Sequence, residues 1–141
     1  MMDKLEVTVD VIIHATEDVS KFLRSFEEIF ELKDNFTIYK TTGHFNNPII
    51  ILNIKIEKKQ AQRFVEKLIN SLSIEQLKNL VEEIPKRTMD SRFHIRLDKQ
   101  EFIQGKITLK EKDAIKVKIH TPIYNKKDTV KIFSRIFKVV N

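Results

Sequence analysis

Residues 5–14 alternate in character. Val7, Val9, Val11 and Ile13 fall on one side, and Glu6, Thr8, Asp10 and His14 on the other, with Ile12 the exception. A period of two belongs to a strand with one face buried and one face wet. The pattern recurs at Ser91–Asp98, with Phe93, Ile95 and Leu97 inward, and at Ala114–Thr121, with Ile115, Val117 and Ile119 inward. Parallel strands covered on both sides would read as continuous apolar runs, and only Ile49–Leu52 does so. The expectation is an α+β chain: a mostly antiparallel sheet of about five strands with helices packed on one face.

The remaining segments fit that frame. Phe36–Phe45 and Ile49–Glu57 read as the second and third strands, with residues 43–48 reversing the chain between them. Ile107–Leu109 is the place for a short additional strand. Four stripes at helical spacing accompany the strands. Val19, Phe22, Phe26 and Phe30 mark the first, with Thr16 expected as its cap. Ala61, Phe64, Val65, Leu68 and Ile69 mark the second, over 58–72. Ser73 and Gln76 form a capping-box pattern before the third, which Pro85 ends. Val130, Phe133, Ile136 and Phe137 mark a closing helix over Lys126–Val140. The expected order is β-α-β-β-α-α-β-(β)-β-α. No composition shift, long linker or repeat divides the 141 residues, so one domain over 1–141 is expected.

A hydrophobic content of 41% with 33% charged residues suits a folded core and excludes a disordered chain. The net charge of +6 and pI of 9.5 favour anionic partners. With no cysteine, disulfides, thiolate zinc sites and a cysteine nucleophile are excluded. No apolar run approaches the ~20 residues of a membrane span, and residues 1–4 carry no apolar signal segment. A cytoplasmic location without membrane contact is the expectation. Neither a phosphate-cradling glycine loop nor a nucleophile elbow occurs. The four histidines, His14, His44, His94 and His120, show no His-x-x-x-His spacing. A small metal-dependent nuclease would need them to converge with Asp10 or Asp98. The chain reads as a non-enzyme that calls for no cofactor.

Only two glycines occur, Gly43 and Gly105, each in or beside a polar cassette. So sparing a chain is expected to place glycine where the backbone needs positive φ or a close approach. The cassettes are His14-Ala15-Thr16-Glu17-Asp18, Gly43-His44-Phe45 with Asn47-Pro48-Ile49, and Arg96-Leu97-Asp98-Lys99-Gln100 running to Gly105. Together with Asp113 and Ile115–Ile119, these blocks resemble the signature of an archaeal family of RNA-binding proteins, also described as exosome subunits. The resemblance covers about His14 to Ile119. It implies a fold like that of a large-subunit ribosomal protein and a role in RNA binding, with RNA processing or degradation, or the ribosome, as the setting. It supplies no catalytic residues. Asn46 stands where the family pattern leads one to expect glycine, and asparagine tolerates left-handed backbone.

Strand parity puts Arg92, His94 and Arg96 on the same side as Lys116, Lys118 and His120, opposite the apolar residues. Lys55 and Tyr39 share that side, His44 belongs to the hairpin loop, and Lys99 is expected to project from a loop beside Arg96. Lysine and arginine neutralise phosphates, while tyrosine and histidine stack on unpaired bases. The candidate RNA-contacting residues are therefore Arg92, His94, Arg96, Lys99, Lys116, Lys118, His44, Lys55 and Tyr39. A solvated sheet face, or one buried by a partner, carries the same residue types. A homodimer, or a scaffold in a larger protein complex, is thus the competing reading. The His14–Asp18 cassette reads foremost as a strand end and a capped helix. Arg96 and Asp98 are placed to pair with each other.

Overall fold

A computed structural model describes residues 4–139, with the side chain of Val139 excepted. The chain runs β1 (Glu6–His14), α1 (Val19–Phe30), β2 (Phe36–Thr42), a 3₁₀ turn (His44–Asn46), β3 (Pro48–Glu57), α2 (Lys58–Asn70), α3 (Ile74–Glu82), α4 (Ile84–Arg87), β4 (Thr88–Met89), β5 (Arg92–Asp98), α5 (Lys99–Ile103), β6 (Ala114–His120), a second 3₁₀ turn (Lys126–Asp128) and α6 (Thr129–Val139). All strand pairs are antiparallel, and the sheet order is β2-β3-β1-β6-β5-β4.

The alternation of β1 fixes which side is covered. Val7, Val9, Val11 and Ile13 are almost fully buried and pair with Ile56, Ile54, Leu52 and Ile50 of β3. On the other flank Val7 and Val9 pair with Ile119 and Val117 of β6, which in turn meet Phe93 and Ile95 of β5. Helical stripes close this side, and phenylalanines dominate the seam. Phe30 stacks on Phe64 at 4.0 Å, Phe26 meets Phe102 at 4.6 Å, and Phe93 meets Phe137 edge-on at 5.0 Å. Burying each such ring contributes roughly 1.5–3 kcal/mol.

The fold class is the expected one, and the differences are local. Asp18, not Thr16, caps α1: its Oδ1 accepts from the Ser20 amide at 2.9 Å. The capping box of Ser73 and Gln76 forms with both hydrogen bonds. Pro85 does not end a helix. The chain breaks at Glu83, and Pro85 falls in the first turn of α4, where a missing N–H removes no helical bond. Thr88–Met89 pairs with β5 and makes a sixth strand too short to show a pattern. Ile107–Leu109 contributes a single bridge, Leu97 to Leu109, and no strand. The helix α5 had no apolar stripe to announce it. Asp98 caps it by accepting from the Glu101 amide at 3.1 Å, and Gly105 follows it at φ 87°. The expected end of the closing helix, Val140, lies outside the described residues.

Gly43 corrects the glycine expectation. Its φ is −94°, an ordinary extended value. A Cβ there would meet the Ile49 side chain at 3.5 Å, normal van der Waals contact. The left-handed residues of this hairpin are Phe45 at φ 59° and Asn46 at φ 60°.

Candidate nucleic-acid interface

The helices cover one side of the sheet, and polar residues line the other. Register sets their neighbours. Arg92 lies opposite His120, His94 opposite Lys118 and Arg96 opposite Lys116 across β5 and β6. Lys118 then faces Thr8, and Thr8 faces Lys55 on β3. His94, Lys118, Thr8 and Lys55 thus form one polar row across four strands, about 14 Å long at the usual strand spacing. The next row runs Arg96, Lys116, Asp10, Asn53, and Asn53 Nδ2 donates to Asp10 Oδ1 at 2.6 Å.

Opposite cations in a cross-strand pair repel. His94 registers this. Its burial first, then Lys118, Arg96 and Arg92, hold its pKa below the ordinary 6.5. The imidazole is kept neutral by its setting.

Residues that sequence spacing did not flag flank this face. The Arg87 side chain is mostly buried. Its Nη2 lies 3.2 Å from Glu111 Oε1, its Nε 3.3 Å from Glu83 Oε2, and its Nη1 donates to the His94 carbonyl at 3.5 Å. Arg96 Nη1 donates to the Glu111 carbonyl at 3.2 Å. A shallow recess lined by Glu83, Lys86, Arg87, Met89, His94, Arg96 and Glu111 results. No local motif marks Glu111, because the loop 104–113 must fold back beside β5 before it meets Arg96.

Two expectations about the Arg96–Gly105 cassette are corrected. Arg96 does not pair with Asp98, because the Asp98 carboxylate caps α5. Lys99 does not project. It is the first residue of α5 and only 3% exposed. Its Nζ donates to the Ile12 carbonyl, to Asp113 Oδ1 at 2.9 Å and to Glu17 Oε1 at 3.2 Å. Glu17 also accepts from the His14 amide at 2.8 Å, and His14 Nε2 lies 3.2 Å from Asp113 Oδ1. The Lys99 hydrogen bond is the main reason the Asp113 carboxyl is held below its ordinary pKa. The His14–Asp18 cassette, Lys99 and Asp113 therefore form one tie, joining the end of β1 to the start of α5 and the loop before β6. A lysine with this many acceptors is satisfied within the fold and presents no free ammonium to a ligand.

The other candidates divide by place. Arg92, His94, Arg96, Lys116 and Lys118 sit together on β5 and β6. Lys55 lies beyond β1 on the same face. Tyr39 shares the face on β2, opposite Ile51, and His44 is exposed in the hairpin turn. Among the described residues, no group of three or more His, Asp or Glu is arranged to hold a metal ion, and no helix is long and apolar enough to cross a membrane.

Fold and face together define a two-layer α+β protein with one open, cationic sheet surface. The chain belongs to the RNA-binding family: the family model with that description matches residues 6–121. It is 34% identical to the RNA-binding protein PAB1135 of Pyrococcus abyssi over 80% of this chain and 79% of that one. It is 31% identical to the uncharacterized protein MJ0213 of Methanocaldococcus jannaschii over 89% of this chain and 91% of that one. Among solved structures, protein SSO0741 of Sulfolobus solfataricus superposes with a TM-score of 0.77 at 27% identity, covering 96% of this chain and 97% of the other.

Proposed function

We propose that this protein binds RNA on the open face of its sheet, with the paired cations of β5 and β6 as the phosphate-contacting centre. The carrying observation is the like-charged cross-strand pair Arg96 beside Lys116, with the His94 imidazole beside Lys118 in the next row, on a side no helix covers. Such pairs are unfavourable alone and become favourable when an anion lies between them. Lys55 extends the track, and Tyr39 and His44 offer ring faces for unpaired bases. Family membership and the name of the Pyrococcus relative support RNA as the ligand. The proposed role is binding without catalysis, within RNA processing or degradation or beside the ribosome. Co-purification with exosome or ribosomal components tests that setting.

The binding test is a salt titration. If about four phosphates are neutralised, the log-log slope on single-stranded RNA is about −3. The double change Arg96→Ala with Lys118→Ala should flatten it by roughly one to two units. Lys59→Ala with Lys78→Ala, exposed on α2 and α3, should leave it unchanged. Equal effects of both doubles, or no binding at low salt, would remove the proposal.

A further inference from the structure

The two edges of the sheet are treated differently. On the β5 side the edge is closed: β4 pairs with Arg92 and Phe93, Arg87 donates to the His94 carbonyl, and Thr108 and Lys110 bond the backbone of Asp98 and Arg96. On the β2 side it is open. The Gly43 amide donates to the Asn47 carbonyl at 2.8 Å, so Gly43 turns its backbone towards β3. Stepping by two, Thr41, Tyr39 and Thr37 do the same, while Phe36, Ile38, Lys40 and Thr42 turn their N–H and C=O groups outward. Among the described residues these outward groups meet no partner. The helices stop short of this strand too. Ile38, on the inner face, is 45% exposed and Tyr39, on the outer face, 49%. A seven-residue edge without proline or bulge, with an exposed apolar side chain on each face, is a template for another strand.

We infer that β2 pairs antiparallel with β2 of a second copy of this chain, about a two-fold axis through Tyr39. The outward residues are symmetric about Tyr39, so Ile38 meets Lys40 of the second copy and Phe36 meets its Thr42. All outward groups of both strands are then satisfied, by about eight hydrogen bonds. The one charge on the strand, Lys40, falls against an isoleucine rather than against itself. The two Tyr39 rings come side by side on the outer face, and the sheet becomes continuous across both copies. An open row of backbone donors and acceptors calls for a polypeptide main chain, which RNA lacks. A second copy fits this edge because the register about Tyr39 keeps the strand's one charge, Lys40, away from its own counterpart.

The test reads mass and register together, and stands apart from the RNA reading. Sedimentation from about 1 to 100 µM should show a species of twice the 16.7 kDa chain mass. Ile38→Lys places a lysine against Lys40 of the other copy and should weaken association at least about tenfold. Ile38→Glu, equally polar, places a carboxylate there and should retain the dimer. Circular dichroism confirms that both variants fold. A chain that stays single across this range overturns the inference. So does a dimer that survives Ile38→Lys, or one that both variants abolish alike. Loss of RNA binding in both variants of a chain that is always single would assign the edge to RNA instead.

Discussion

Lys99 Nζ sits 2.9 Å from Asp113 Oδ1, and this contact ties the Arg96–Gly105 cassette to the loop before β6. Glu17, from the third element of the tie, lies 3.2 Å from the same ammonium. The lysine side chain is 4% exposed, Glu17 14% and Asp113 60%. The tie is thus anchored inside and frays towards solvent.

Lys99→Met should therefore destabilise the fold by about 3 kcal/mol, since it strands the Glu17 carboxylate and the Ile12 carbonyl. Asp113→Ala should cost only about 0–1 kcal/mol, because its carboxylate is mostly hydrated already. Urea unfolding of both variants measures the contrast. In the folded fraction of Lys99→Met the RNA salt slope should match the parent. A flattened slope would return Lys99 to the contact surface.

Acid stability should carry the mark of Asp113. Its folded pKa lies below the ordinary 3.8. Its contribution is therefore fully present above that value and is lost as pH falls through the lowered folded value. Asp113→Asn should lower stability most near neutrality, where that contribution is fully present, and converge on the parent as pH falls through the acid window. Thermal melts across the window read this directly, and superimposable curves for parent and variant would contradict it.

His94 should couple protons to RNA. Its pKa is depressed below 6.5, so its neutral form is favoured in the fold, and stability drops as pH falls from 6.5 towards the folded value. A phosphate beside it would raise that pKa, and by reciprocity lower pH should tighten RNA binding. Affinity measured from about pH 7.5 to 6 should rise more steeply for the parent than for His94→Gln. Parallel curves would place the phosphates away from His94.

The two glycines should part company on mutation. Gly105 adopts φ 87°, which alanine resists, so Gly105→Ala should cost about 1 kcal/mol. Gly43 is extended with ordinary space around its Cα, so Gly43→Ala should change stability by less than about 0.5 kcal/mol. Chemical denaturation of the pair decides it, and a larger loss at Gly43 would mean the hairpin is tighter than its backbone indicates.

Strand parity was legible in the sequence because it is a local property. Once Phe93, Ile95, Val117 and Ile119 must face a core, Arg92, Arg96, Lys116 and Lys118 are sent to the other side wherever the strands sit. The capping box at Ser73 and the four helical stripes were readable for the same reason: each rests on residues within one or two turns. Tertiary structure alone decided who pairs with whom across distance. Lys99 reads as a surface residue until β1, α5 and the loop before β6 converge on its ammonium. Arg96 exchanges an expected local partner, Asp98, for Glu111, which only the fold-back of loop 104–113 supplies. The openness of β2 likewise follows from how far the helices reach over the sheet. Periodicity assigns faces, but the partners of charged groups and the ends of a sheet depend on packing between segments far apart in the chain.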